Sequence, residues 1–540
     1  MASQSIQDII EAIPSHYRGP GGAVAVLKHG DLVGQQVWGY ADLQKRIRMT
    51  PSTLMPICSI TKQMLCMILK DLERNPTPEM AKRGNVRLQF SDALDQILRP
   101  EITKDTGIKL EHLCHNQSGI RDYWAMSMFW GSQPDGEFKV GEDGKKALDR
   151  TRSLHFQPGT QYAYCNLNFH ILARMVESVT GEGLGDLLAH RLFAPAEMKT
   201  AALCPDNANL PPPCVGYEGT ESFGFIPATN RIEWSGDAGV VASLEDMIAY
   251  ERYLDKSWDN ENSLYRAITQ KQFFEDGTLA RYGYGLEHGN VDDVATIRHG
   301  GALRGFRLHR LQAPSERLAI VVMLNHEADA EETATHVLKE ILRLSRQQIP
   351  ALKVVTPSPR WFGTFFDPDA QLVVEVRHGG PGNIVVSYAG SDETLTCLDG
   401  DRGQSNTMSG TISGDTLTLH RLVDNRLIHA NRITAGKEKF KEDYVGQYHC
   451  AEVDSTFHCS GTGDMLYGSF DGFLGQGPAH LMRSLEPDIW VLSCPRGLDA
   501  PAPGNWTVVF QRDERGDIAG VVMSCWLARK IAFVKQGADI

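Results

Sequence analysis

Residues 349–360 read IPALKVVTPSPR, and the periodicity of the chain differs on the two sides of this proline-punctuated stretch. Before it, helix and strand patterns alternate. The segment AVAVLKHGDLVGQQVWGYAD predicts a hairpin turning at Gly30-Asp31. LNFHILARMVESVTG (167–181) and SLEDMIAYERYL (243–254) carry apolar residues at helical spacing, with Ser243 placed as an N-cap. GFRLHRLQA and RLAIVVMLN then read as strands, followed by the helix TATHVLKEILRLSRQQ. After the prolines the pattern is mainly short strands broken by Gly, Asp and Asn. A chain of 540 residues is too long for one core. Strands at both ends of the first part, with helices between, predict an α+β domain over 1–348 whose sheet closes late in sequence. A charged break, AGKEKFKED at 435–443, divides the remainder. After each break a similar phrase follows, WFGTFFDPDAQLVVEV from Trp361 and YVGQYHCAEVDSTFHC from Tyr444. The weak repeat predicts two small antiparallel β-barrels, 349–437 and 438–540, in preference to one large sandwich.

Composition excludes some functions. The net charge is −13 with no run of lysine or arginine, which argues against nucleic acid and against anionic membrane surfaces as partners. The opening MASQSIQDIIEAIP has no basic region leading into a long apolar stretch, and the longest apolar runs, such as LAIVVML at 318–324, are strand-sized. No signal peptide and no membrane span are expected. Eleven cysteines without a Cys-x-x-Cys pair suit reduced thiols in the cytoplasm. HCAEVDSTFHC (449–459) offers two His-Cys pairs, but neighbours on a strand point to opposite faces, so no metal is expected there.

Three segments carry chemistry. In MPICSITKQMLCMILKDL (55–72), Ser59 and Lys62 lie three apart at the start of an apolar helix, hence on one face. An amine withdrawn from water favours its neutral form and can then take the serine proton, while the helix N-terminus favours a developing oxyanion. In PGTQYAYCNLNF (158–169), Tyr164 is placed to act as a base beside the serine, and Asn166 to orient substrate or lysine. In RHGGALRGF (298–306), His299 precedes two glycines that let a backbone approach a ligand. Each segment alone also reads as an ordinary cap, packed tyrosine or turn.

Ser-Ile-Thr-Lys, Tyr-Cys-Asn and His-Gly-Gly together resemble the Ser-x-x-Lys, Tyr-x-Asn and Lys/His-x-Gly signatures of the penicillin-recognising serine hydrolases, in the same order. HNQSGIRDYW at 115 and LFAPAEMKTA at 192 resemble flanking stretches of that family. The resemblance implies a β-lactamase/transpeptidase-like catalytic domain followed by the two barrels. It implies that Ser59 is acylated, that Lys62 and Tyr164 share the proton transfers, and that His299 orients the tyrosine. Asn166, Gly301 and the amide of Ala302 then support the substrate and its oxyanion.

That family contains class C β-lactamases, D,D-carboxypeptidases, esterases and D-aminopeptidases, so the trio leaves the substrate open. Members that hold a substrate carboxylate commonly carry a hydroxyl where this chain has Ala302, although Arg304 nearby offers charge. GPGG at 19, MPICS at 55, GDAG at 236, GGALRG at 300 and CWLAR at 525 make the whole chain similar to the D-aminopeptidases. That branch implies removal of an N-terminal D-residue such as D-alanine from peptides, amides or esters, without metal or cofactor, by a homodimer. It also implies that a loop of the last barrel, CPRGLDAPAPGNW with the segment 494–504, enters the site and that Asp499 receives the substrate ammonium. The rivals are an esterase or β-lactamase-like hydrolase with the same trio, and a non-catalytic ligand-binding homologue.

Overall fold

The computed structural model describes residues 5–344, 355–434, 441–493, 496–498, 500–501 and 504–537. The first domain is built on eight strands: β1 (Gly21–Lys28), β2 (Asp31–Asp42), β3 (Ile47–Arg48), β4 (Tyr282–Gly283), β5 (Leu286–Val291), β6 (Val294–Leu303), β7 (Phe306–Ala313) and β8 (Leu318–Leu324). Their spatial order is β4-β5-β6-β7-β8-β1-β2-β3, antiparallel throughout. The two ends of the domain meet where β1 pairs with β8, Val24 opposite Val322, which is the late closure expected.

Period-two alternation in these central strands divides two cores. Val24, Val26, Ile320 and Val322 pack with Ile10, Ile13 and the helix α4 (Ala330–Leu342). Ala23, Ala25, Val321 and Met323 face the other way, toward α1 (Thr61–Arg74), α2 (Asn166–Thr180) and α3 (Leu244–Trp258). Ser243 caps α3 as expected, its side chain accepting from the Asp246 amide. The β1–β2 turn falls one residue earlier than expected, at His29-Gly30, with φ of +51° and +77°. Positive φ at both turn residues matches the twist of a two-residue hairpin. α4 starts at Ala330, capped by Asp329, and ends at Leu342, where Arg343 turns left-handed; the last residues of the expected helix lie outside the described residues.

The C-terminal part forms two barrels rather than one sandwich. In the first, eight strands run from Gly363–Asp367 to Arg426–Ile433, and the first pairs with the last, Thr364 opposite Ile433. In the second, Gly446–Cys450 pairs with both Ser455–Thr462 and the last strand, Ala528–Lys535, and the Ser455–Thr462 strand continues to Met465–Gly472, closing the ring. The repeated phrase is a repeated structure. Single 3-10 turns at Pro359–Trp361 and Glu442–Tyr444 bury Trp361 and Tyr444, and Gly363 and Gly446 follow at φ +140° and +151°. Along 449–459 the strand faces alternate: Cys450 and Cys459 are buried, while His458 turns outward to Asp471, 3.0 Å away.

The first barrel has its own core around Trp361 and Phe365, whereas the core of the second is continuous with that of the first domain. Phe129 enters that barrel among Phe470, Trp506 and Phe533, with ring centroids 4.9, 4.4 and 5.4 Å away. Among the described residues no helix is long and apolar enough to cross a membrane.

Candidate active site

Met55–Pro56 runs as a short strand against Val240–Ala242, and the chain then reverses at Cys58, a non-glycine residue at φ +51°. One 3-10 turn, Cys58–Ile60, carries Ser59 to the head of α1. Strain of this kind, in a residue that burial holds in place, recurs where a side chain must be presented. Ser59 is half-buried and Lys62, in the first turn of α1, is fully buried. Lys62 Nζ lies 3.0 Å from Ser59 Oγ, 2.8 Å from Asn166 Oδ1 and 2.6 Å from the Asp237 carbonyl oxygen. The last two oxygens can only accept. In the neutral amine they take both N–H groups, which leaves the lone pair directed at the serine hydroxyl.

Two consecutive residues hold those acceptors. Asp122 Oδ1 accepts from the Asn166 amide at 2.6 Å and from Asn166 Nδ2 at 3.1 Å, so the Asn166 carbonyl oxygen faces Lys62. Tyr123 donates its hydroxyl to Asp237 Oδ2 at 2.7 Å. Burial pushes the Asp122 carboxyl up to about 6 against the opposing pull of the Asn166 hydrogen bonds and the Lys62 charge. The Asp237 carboxyl is also raised by burial, opposed by the Lys62 charge and by the Tyr123 hydrogen bond.

Tyr164 is half-buried, with its ring centroid 5.0 Å from Lys62 Nζ. The His299 ring stands 6.2 Å from the Tyr164 ring, and its hydrogen bond goes to a second phenol, Tyr282, at 3.0 Å. Tyr282 in turn stands edge-on to Tyr164 with centroids 6.0 Å apart. Burial, reinforced by the Lys62 charge, pushes His299 down to about 3, so the ring is neutral. Its Nδ1 faces the Gly300 carbonyl at 2.6 Å and therefore carries the proton, leaving Nε2 to accept from Tyr282.

β5 pairs with β6 only up to Arg298, opposite Glu287. From His299 to Leu303 that edge has no ladder partner among the described residues, and the Cys58–Ile60 turn packs against β6. Gly301 makes the approach possible, and Ala302 is half-buried on the same edge. Arg304 is pinned by Glu218, 2.6 Å from its Nε, and by Asp135, so its charge is balanced within the protein. Asp499 lies outside the described residues. The flanking arms of its loop, Arg496–Gly497 and Ala500–Pro501, pair with each other, and the second arm lies against β6.

Sequence reasoning did not single out Asp122, Tyr123, Asp237 or Tyr282. Asp122 had a signal, being a carboxylate set among apolar and aromatic residues in IRDYWAMSMFW, where burial demands a partner. Asp237 lies in the GDAG stretch that carries part of the resemblance, but its residue type gives no sign of the role of its backbone oxygen. Cys58 and Cys165, beside the candidate residues Ser59 and Tyr164, are buried; burial raises the Cys58 thiol to about 12 and the Cys165 thiol well above its usual value, which suits packing.

Residues 6–342 match the family described as beta-lactamase, and residues 354–534 match the one described as D-aminopeptidase, domain B. The chain is 40% identical over 531 residues to D-aminopeptidase of Brucella melitensis biotype 2, covering 98% of both chains. It is 39% identical over 531 residues to D-aminopeptidase of Brucella anthropi, again covering 98% of each. Among solved structures, the octameric penicillin-binding protein homologue from Pyrococcus abyssi superposes with a TM-score of 0.51 at 18% identity, over 80% of this chain and 100% of that one. The penicillin binding protein from Bacillus halodurans gives 0.51 at 21%, over 62% and 98%. These two share the fold. With a beta-lactamase-type domain ahead of the D-aminopeptidase barrels and close likeness along nearly its full length, the chain belongs to the D-aminopeptidase family.

Proposed function

We propose that the chain is a serine hydrolase that releases an N-terminal D-residue, such as D-alanine, from peptides, amides or esters through an acyl-enzyme on Ser59. The observation that carries this reading is the Lys62 amine 3.0 Å from Ser59 Oγ, with its other two contacts on oxygens that only accept. Ser59 Oγ adds to the carbonyl after the first residue as its proton passes to Lys62, and the amides of Ser59 and Ala302 receive the oxyanion. As the C–N bond breaks, Tyr164 gives a proton to the leaving amine and is restored by the proton that Lys62 took from Ser59. Water then adds to the ester as its proton passes to Lys62, and Ser59 leaves carrying that proton. His299 and Tyr282 keep Tyr164 in place, and Asn166 keeps Lys62.

The amino end, in this reading, is held by Asp499 on the loop 494–504, whose described arm lies against β6. The balanced charge of Arg304 favours a substrate without a carboxylate at this edge, hence a peptidase acting from the amino end over a β-lactamase or D,D-peptidase. A cytoplasmic homodimer belongs to the same reading; the cytoplasm is supported by the free thiols of the described cysteines.

Release of p-nitroaniline from the D- and L-alanine anilides, beside nitrocefin and a short acyl ester, tests the proposal. The D-anilide should be cleaved and the L-anilide spared, Ser59→Ala should bind without turnover, and dialysis against chelator should leave the rate intact. Cleavage of the ester alone would hand the chain to its esterase rival.

A further inference from the structure

Arg121, Asp122 and Tyr123 connect the second barrel to the catalytic lysine. The Asp122 amide donates to the Leu527 carbonyl oxygen of that barrel at 3.1 Å. Arg121 Nε donates to the Arg529 carbonyl oxygen at 3.0 Å, and its Nη1 reaches Glu452 Oε1 at 3.1 Å, so the Asp122 amide and the residue before it are both tied to the barrel. On the catalytic side, Asp122 fixes Asn166 and Tyr123 fixes Asp237, and those two residues supply both acceptor-only contacts to Lys62 Nζ. Every one of the three side chains is nine-tenths buried or more. A route made only of directed hydrogen bonds between buried groups has little slack, because each lost bond leaves an unpaired polar atom away from water.

We propose that Arg121–Tyr123 is a positioning element through which docking of the second barrel sets where the Lys62 amine points, with Asp122 as its central residue. The proposal rests on the acyl-enzyme reading of Ser59 and adds to it a role for the barrel that is separate from substrate binding. Asp122 does not touch the reacting atoms. It fixes which end of the Asn166 amide meets the lysine: an Asn166 turned over would present N–H donors to the amine and oppose its protonated form. Its own charge acts in the same sense as the amide it fixes, favouring the ammonium. The titratable groups that face Asp122 include Lys62 on α1, Tyr123 beside it and Cys165 ahead of α2, and Lys62 itself also faces Asp237, Tyr164, His299 and Cys58, which the Asp122 variants leave unchanged. Burial keeps Tyr123 and Cys165 in their neutral forms, so Lys62 is the group on which the carboxylate acts.

The test is the rate at which an alkyl fluorophosphonate labels Ser59, followed by intact mass across pH, in the full-length chain. This readout needs no knowledge of the substrate. Asp122→Ala and Asp122→Asn should lower the plateau rate on the order of 10²-fold, as expected for a displaced catalytic group. Both should also move the acid limb of the profile to lower pH, because losing the anion and releasing Asn166 each favour the uncharged amine. A merely structural role would not move that limb. Asp122→Asn keeps the side-chain volume and guards against an alanine variant that does not fold. Arg121→Met, which loosens the segment from the barrel without touching Asn166, should slow labelling several-fold and leave the limb in place. Folded Asp122 variants that label at the wild-type rate with an unmoved limb overturn the proposal, and an unaffected Arg121→Met overturns the link to the barrel. An unlabelled wild type would remove the acyl-enzyme reading as well, which separates the two failures.

Discussion

A Cβ on Gly301 would stand 2.4 Å from the carbonyl oxygen of Ile57 and 3.2 Å from Cys58 Cβ. β6 and the turn that presents Ser59 are thus in backbone contact, and the distance between them is set by the absence of a side chain at one position. Gly301→Ala must push that edge away from the serine. Activity should fall on the order of 10²-fold, because reacting groups displaced by about 1 Å lose that much. Stability should fall by roughly 1–3 kcal/mol, the usual cost of overpacking. Steady-state kinetics and denaturant unfolding check both, and an alanine variant with wild-type kcat/KM would refute this account of the motif.

Lys62 separates activity from stability. Its ammonium or amine sits fully buried among oxygens, so Lys62→Met removes a group that is costly to bury and fills its space with a thioether of similar length. Against that gain, Asn166 Oδ1 and the Asp237 carbonyl lose their donor. The two effects oppose, and the melting temperature should move little while turnover drops by about 10²–10⁴-fold, the range for a lost general base. A variant that instead unfolds would mean that the lysine serves the fold first.

The sequence made the trio legible because each member sits in a short local pattern. Ser59 and Lys62 share a helix face, Tyr164 and Asn166 lie two apart before a helix, and His299 stands two residues ahead of the glycine the backbone needs. The barrel pair was legible through one repeated phrase, since Trp361 with Gly363 and Tyr444 with Gly446 solve the same problem of opening a barrel. Most of what fixes the site in three dimensions was not legible, the carboxylate of Asp122 in its apolar surroundings being the exception. Asp122 acts on a backbone amide, Asp237 acts through its own carbonyl, and the Leu527 carbonyl holds the Asp122 amide across more than four hundred residues. Backbone atoms are alike at every position, so contacts of this kind leave no trace in residue identity. His299 shows the same limit in a side chain: its type suggested a partner in Tyr164, while the direction of its ring gives the bond to Tyr282.

Phe129 ties the helical layer to the second barrel. It is fully buried against Phe470, Trp506 and Phe533, and Gly131 just beyond it packs so closely on Gly475 that a Cβ would lie 1.9 Å from the Gly475 carbonyl oxygen. Phe129→Ala should cost about 3–5 kcal/mol. Because the barrel core is continuous with that of the first domain, the loss should appear as a lower midpoint for the domain-barrel unit, with the first barrel melting separately. Calorimetry of the variant resolves this. Unfolding in one transition, at the wild-type midpoint, would show that the aromatic cluster does not couple the two.

Acid should destabilise the protein above the pH range in which ordinary carboxylates titrate. Burial pushes His115, His170, His299 and His309 down to about 3, and His326 to about 4. Each ring is neutral in the fold but takes up a proton in the unfolded chain near pH 6.5. A histidine whose folded value is depressed contributes stability that is complete above 6.5 and drains away as pH falls toward 3–4. Asp122 works in the other direction: its carboxyl is raised to about 6, so the fold holds a proton that the unfolded chain releases, and it gains stability as pH falls through 6. Five rings outweigh that carboxyl across the window they share. The melting temperature should therefore decline steadily from pH 7 to pH 5, with proton uptake on unfolding seen as a dependence on buffer ionisation enthalpy. A melting temperature that holds level or climbs over that interval would mean these histidines are protonated inside the fold, and the neutral His299 assigned to the Tyr282 hydrogen bond would have to be given up with them.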